Sequence, residues 1–66
     1  MKVKQFLGEK DGNQLKAEIH SDVDGYNICF YINDSLKNIE YFDGKSIHYV
    51  EDAATNWLSG IKVLNG

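Results

Sequence analysis

The sequence contains no arginine and no proline, and its one cysteine is Cys29. Each absence closes off a class of protein. Arginine's planar fork is the preferred partner of phosphate and of guanine edges, so its complete absence argues against nucleic-acid recognition. The charge balance agrees: seven lysines against ten acidic residues leave a net −3, and the lysines are scattered rather than gathered into a patch. A lone cysteine excludes an intramolecular disulfide and a cysteine-based zinc site. Small secreted domains usually rely on disulfides, which makes a reducing intracellular setting the expectation. No apolar run approaches the roughly 20 residues that span a bilayer, and positions 1–5 are not followed by the apolar stretch of a signal peptide. The chain is therefore expected to act in the cytoplasm, with no membrane contact.

What is present suffices for one small domain covering residues 1–66. A hydrophobic fraction of 42% with 26% charged residues is ordinary for a globular chain and argues against disorder. Four Tyr, three Phe and one Trp supply bulky apolar area, which lets so short a chain bury a core without staples.

Glycine punctuates the chain. Asp11-Gly12, Asp24-Gly25 and Asp43-Gly44 each suit a tight turn, because glycine tolerates positive φ and aspartate bonds its own local backbone. Between them lie segments of strand length. Residues 2–7 place Val3 and Leu7 on one face and Phe6 on the other, ahead of a turn over 8–12. Residues 14–20 alternate cleanly, with Leu15, Ala17 and Ile19 against Lys16, Glu18 and His20, the period of a half-buried strand. Residues 26–32 put Tyr26, Ile28, Phe30 and Ile32 on one face and Asn27, Cys29 and Tyr31 on the other. Residues 37–42 read as a fourth strand with Ile39 and Tyr41 inward. Turns this short force antiparallel pairing.

The period then changes. At about 100° per residue, Ile47, Val50, Ala54, Trp57, Leu58 and Ile61 form one stripe with Ala53 at its edge, while His48, Asp52, Thr55, Asn56 and Ser59 lie opposite. Ser46 is a natural N-cap, and Glu51 and Asp52 sit toward the positive end of the helix dipole. Gly60 suits the residue just past the end, with Ile61 closing a Schellman contact. The helix is expected over 46–59, and the tail 62–64 either adds a short strand or packs down. The predicted fold is α+β: a four-stranded antiparallel meander followed by one amphipathic helix (ββββα). The helix lies against Ile19, Ile28, Phe30 and Tyr41.

Few residues suggest chemistry. Asp22-Val23-Asp24-Gly25 looks like a fragment of a calcium loop, but counting from Asp22 puts glycine at position 4 and Asn33 at position 12, where an EF-hand needs glycine at 6 and glutamate at 12. His20 and His48 fall on the polar faces of a strand and of the helix, pointing to different sides. Cys29 lies mid-strand with no cationic neighbour in sequence to activate it. Glu51 and Asp52 are adjacent, and i,i+1 side chains diverge on a helix. No catalytic residue, cofactor site or metal site is assigned.

The outer sheet face carries more. If the alternation holds, Phe6, Cys29, Tyr31 and Phe42 project away from the helix, with nothing in the chain to cover them. Three readings follow: a partner or self-association surface, a stacking platform for single-stranded nucleic acid, or a curled sheet that tucks these rings against each other. Phe6, Tyr31 and Phe42 are the candidate interaction residues.

The stretch Tyr49-Val50-Glu51-Asp52-Ala53-Ala54-Thr55-Asn56-Trp57-Leu58-Ser59-Gly60 resembles a segment of small uncharacterised accessory proteins of marine tailed bacteriophages, in which E-D-A-A-x-N-W precedes a glycine. It covers a dozen residues and implies no activity and no site residues. It does imply a phage accessory protein made in the host cytoplasm, of a class that often binds host proteins. The expectation overall is a non-enzymatic protein-interaction module, with a protein partner or a homodimer formed through the outer sheet face or an edge strand. The alternative is a nucleic-acid- or small-ligand-binding domain using sheet-face aromatics. An acidic mimic of nucleic acid is a third reading.

Overall fold

The computed structural model describes residues 1–60, so the expected Ile61 contact and the 62–64 tail lie outside the described residues. Four strands, β1 (Lys2–Lys10), β2 (Asn13–Asp22), β3 (Gly25–Ile32) and β4 (Ser35–Asp43), precede one helix, α1 (Ile47–Leu58). They form a single antiparallel sheet in the order β1-β2-β3-β4. The ββββα architecture read from the sequence is the one observed.

The turns are tighter than the glycine pattern indicates. All three hairpin loops contain two residues, because the pairs Lys10↔Asn13, Asp22↔Gly25 and Ile32↔Ser35 close them. In the first, Asp11 and Gly12 both take positive φ (54° and 81°), the mirror-image turn whose twist matches its flanking strands. In the second the loop is Val23-Asp24, and the Asp24 amide donates to Asp22 Oδ1 at 2.8 Å. That local bond is the physical meaning of the calcium-like sequence. In the third, Asn33 and Asp34 take positive φ (50° and 66°) without any glycine.

Loop length sets register, and register reverses two faces expected from the sequence. A five-residue turn over 8–12 would end the first strand at Leu7. The two-residue loop instead carries β1 to Lys10 and pairs Phe6 with Ala17 and Leu7 with Lys16. Phe6 therefore packs on the core side, and Leu7 faces outward. The second reversal comes from a bulge. From Ile32↔Ser35 and Tyr31↔Leu36, a regular ladder would bring Ile39 opposite Ile28, on the inner face. The register instead jumps to Phe30↔Asn38, leaving Lys37 as the extra residue, so Ile39 pairs with Cys29 and Tyr41 with Asn27. One inserted residue swaps the two faces of the strand beyond it. Ile39 and Tyr41 point outward, and Phe42 is buried on the inner face.

The core is a layer between that inner face and α1: Leu15, Ala17, Ile19, Ile28, Phe30 and Phe42 below, Val50, Ala54 and Trp57 above. Trp57 stacks at a tilt on Phe30, centroids 4.7 Å apart. Phe42 meets Tyr49 edge-on at 6.0 Å. Ser46 caps the helix by accepting from the Tyr49 amide at 3.3 Å, as expected, and Gly60 follows the helix at φ 80°. The first turn holds no acidic residue. Glu51 instead reaches Lys4 Nζ on β1 at 2.9 Å. The helix packs on β1, β2 and β3, and Gly8 admits it: a Cβ there would come within 3.2 Å of Leu58 Cδ2. Seated toward β1, the helix leaves the inner side of β4 open beyond Phe42.

Candidate functional site

The face away from the helix is ordered by the pairing into rows across the sheet, of which Asp22, Gly25, Asp43 closes one end and three others make up the body. The first is Leu7, Lys16, Tyr31, Leu36; the second Gln5, Glu18, Cys29, Ile39; the third Lys2, His20, Asn27, Tyr41. Each of the three is polar or charged over β2 and uncharged over β3 and β4. Two half-faces of different chemistry result.

Glu18 is the hub of the charged half. Its carboxylate lies 3.3 Å from Lys16 Nζ, 3.2 Å from His20 Nε2 and 4.0 Å from Lys2 Nζ. Lys2 also donates to Gln5 Oε1 at 3.0 Å. The Glu18 side chain is only 13% exposed. Burial pushes its carboxyl upward, but the bonds from His20 and Lys16 and the charges of Lys16 and Lys2 outweigh it, holding the group below its ordinary value. These charges are satisfied within the chain.

In the uncharged half, Tyr41 is 68% exposed, Leu36 51% and Ile39 38%, flanking the half-buried Cys29 and Tyr31. Lys16 Nζ sits 4.6 Å from the Tyr31 ring centroid, a cation–π contact that stitches the halves together. Burial, then the neighbouring Glu18 charge, raise the Cys29 thiol, against a weaker opposing bond from Asn27 Nδ2 at 3.7 Å. A thiol held protonated is a poor nucleophile.

Of the expected interaction residues, only Tyr31 lies on this face. Phe6 and Phe42 belong to the core side, for the register reasons above. Leu36, Ile39 and Tyr41 take their place: Leu36 lies ahead of the strand expected over 37–42, and Ile39 and Tyr41 were hidden because alternation carries no mark of a bulge. Glu18 was legible in principle, since Lys16, Glu18 and His20 share one strand face at i,i+2 spacing. His48 lies on the helix, 3.8 Å from Glu51 Oε1, on the opposite side of the sheet from His20. Among the described residues no group of three His, Cys, Asp or Glu could hold a metal ion, and no helix is long and apolar enough to cross a membrane.

Two clefts flank the sheet. One, of about 270 Å³, is lined by Leu7, Gly8, Gln14, Leu15 and neighbours at the β1–β2 turn. The other, of about 300 Å³, runs between α1 and β4, over Phe42 and Glu40 and beneath Tyr49, Asp52, Ala53 and Asn56. Neither brings a nucleophile together with a base. Comparison of the chain with family models, with curated proteins and with solved structures finds no match in any of the three.

Proposed function

We propose that this chain is a non-enzymatic protein-interaction module of the cytoplasm, which docks a protein partner on the β3–β4 half of its outer sheet face. One observation carries the reading: an exposed, uncharged strip of Leu36, Ile39 and Tyr41 lies beside a charged network that is internally satisfied. Contiguous exposed apolar surface marks contact sites, and aromatic rings with few charges are what interface centres are made of. The likeness of residues 49–60 to phage accessory proteins supports a host protein as the partner, and self-association through the same strip is the other form the reading takes.

The test is a paired capture experiment with sedimentation alongside. Tyr41→Lys places a charge at the most exposed end of the strip without touching the core. A partner retained by the native chain and lost at least about tenfold by Tyr41→Lys, at unchanged melting temperature, supports the proposal. Equal capture by both proteins overturns it. If the native chain dimerises and Tyr41→Lys does not, the partner is a second copy.

The Lys16–Tyr31 contact favours one further reading, a stacking platform for single-stranded nucleic acid. Titration with oligonucleotides at two salt concentrations separates it, because phosphate binding weakens steeply with salt.

A further inference from the structure

The cleft between α1 and β4 and the edge of β4 lie side by side, and no property of the outer face accounts for either. β4 is the last strand of the sheet, and among the described residues no strand pairs with its outer edge. Backbone groups of alternate residues on that edge point away from β3. Sheets guard such edges with bulges and lysines. Here the bulge at Lys37 guards only the start of β4, leaving residues 39–42 regular. The β1 edge differs: Val3 is bulged, and the helix is clamped over the strand by Lys4–Glu51 at 2.9 Å. Beside β4 a cleft beneath the helix leaves room above the sheet plane.

We infer that the β4 edge and the adjoining cleft form a strand-addition site for an extended segment of a partner protein that alternates aliphatic and basic side chains. The inference rests on the protein-interaction reading and names the partner's conformation and chemistry. A fifth strand laid along residues 39–42 gains main-chain hydrogen bonds, the generic attraction of strand addition. Its side chains point alternately to the two faces. On the outer face they meet Ile39 and Tyr41, which calls for aliphatic residues. On the inner face they enter the 300 Å³ cleft, whose floor is Phe42 and Glu40 and whose wall is Tyr49, Ala53, Asn56 and Asp52. A long aliphatic stem with a cationic head fits such a wall. The chain already shows the affinity of this ring for cations: Lys45 Nζ lies 5.0 Å from the Tyr49 centroid. The net charge of −3 favours the same sign of ligand.

A second copy fits worse. Its own β4 would present Asn38 and Glu40 on the inner side, bringing a carboxylate toward Asp52. Its own cleft would also face the first, leaving two hollows with little to fill them.

The experiment uses the native chain labelled for amide NMR and three synthetic eight-residue peptides: alternating valine and lysine, alternating valine and glutamate, and a block of four valines followed by four lysines. The expected result is that the alternating basic peptide shifts the amides of residues 39–42 together with those of Tyr49 and Ala53. It slows hydrogen exchange along β4, and the other two peptides bind at least about tenfold more weakly. Ala53→Arg, and independently Asn56→Arg at an exposed position, fill the cleft and abolish these shifts while the fold is retained. Shifts confined to Tyr31, Leu36 and the outer face overturn the edge site and leave the interaction module standing. Equal binding of alternating and block peptides reduces the effect to charge and overturns it. Protection of β4 amides in a dimer without peptide assigns the edge to a second copy and overturns the stated occupant. Absence of shifts with every peptide overturns the edge site, and the capture experiment on Tyr41→Lys then judges the module reading alone.

Discussion

Asn33 and Asp34 do with side chains what glycine usually does with its absence of one. Both sit in the left-handed region, at φ 50° and 66°, where an L-residue is strained by roughly 1–2 kcal/mol and Asn and Asp are the best tolerated exceptions. Asn33 is held there by a clasp. Its Oδ1 accepts from the Gln14 amide at 2.9 Å, and its Nδ2 donates to Asn13 Oδ1 at 2.8 Å, tying the third turn to the start of β2. Asp34 has no such role in the turn, so its strain is relievable. Asp34→Gly recreates the favoured mirror-image hairpin sequence, already used at Asp11-Gly12, and is expected to stabilise the fold by about 0.5–1 kcal/mol. Thermal or urea denaturation checks it, and a lower midpoint would show that Asp34 contributes more than its backbone costs. Tyr41 is the residue-scale counterpart on the functional side: more than half exposed, it is expected to tolerate lysine in the fold but not in the interface.

At the scale of elements, packing of the helix decides whether the domain exists. A 12-residue helix is marginal alone, and Trp57 is its largest buried side chain, tilted on Phe30. Trp57→Ala is expected to cost about 3–5 kcal/mol, enough to unfold a domain this small, and an unchanged melting curve would contradict the packing. The helix, the antiparallel meander and the β2 and β3 faces were legible in the sequence because strong periodicity there coincides with burial. The β1 and β4 faces were not. Phe6 was assigned outward because loop length, not alternation, sets its register, and Ile39, Tyr41 and Phe42 were inverted because a bulge leaves no trace in hydrophobic period. The candidate site suffered most, since it lies where the bulge acts. Deleting Lys37 tests that account directly. It restores the regular ladder, turning Phe42 outward and Tyr41 inward against Tyr26, and is expected to destabilise by about 2–4 kcal/mol. If stability is retained with Phe42 still buried, the strand beyond residue 37 has slipped back into place and the bulge is dispensable.

As a whole, the molecule is a two-layer sandwich of a sheet and one off-centre helix, and the ion pairs of Lys4 and Glu18 gather on its β1–β2 side, where the helix sits. Lys4–Glu51 joins β1 to α1 on the inner side, while Glu18 gathers Lys2, Lys16 and His20 across β1 and β2 on the outer side. The hydrogen bond from Lys4, against a smaller upward push from burial, holds the Glu51 carboxyl below its ordinary value, as the Glu18 partners do for theirs. A carboxyl whose folded-state value lies below its unfolded one contributes stability above the unfolded value, about pH 4.3 for glutamate. It loses that contribution as pH falls through the folded value. Acidification from about pH 5 downward is therefore expected to lower the melting temperature of the native chain progressively. Glu18→Gln should flatten that acid limb more than Glu51→Gln. Glu18 is nearly enclosed by its partners, whereas the Lys4–Glu51 pair is open to solvent and screened by salt. The double variant should be the flattest of all, and melting curves between pH 7 and pH 3 at low and high salt separate the two contributions.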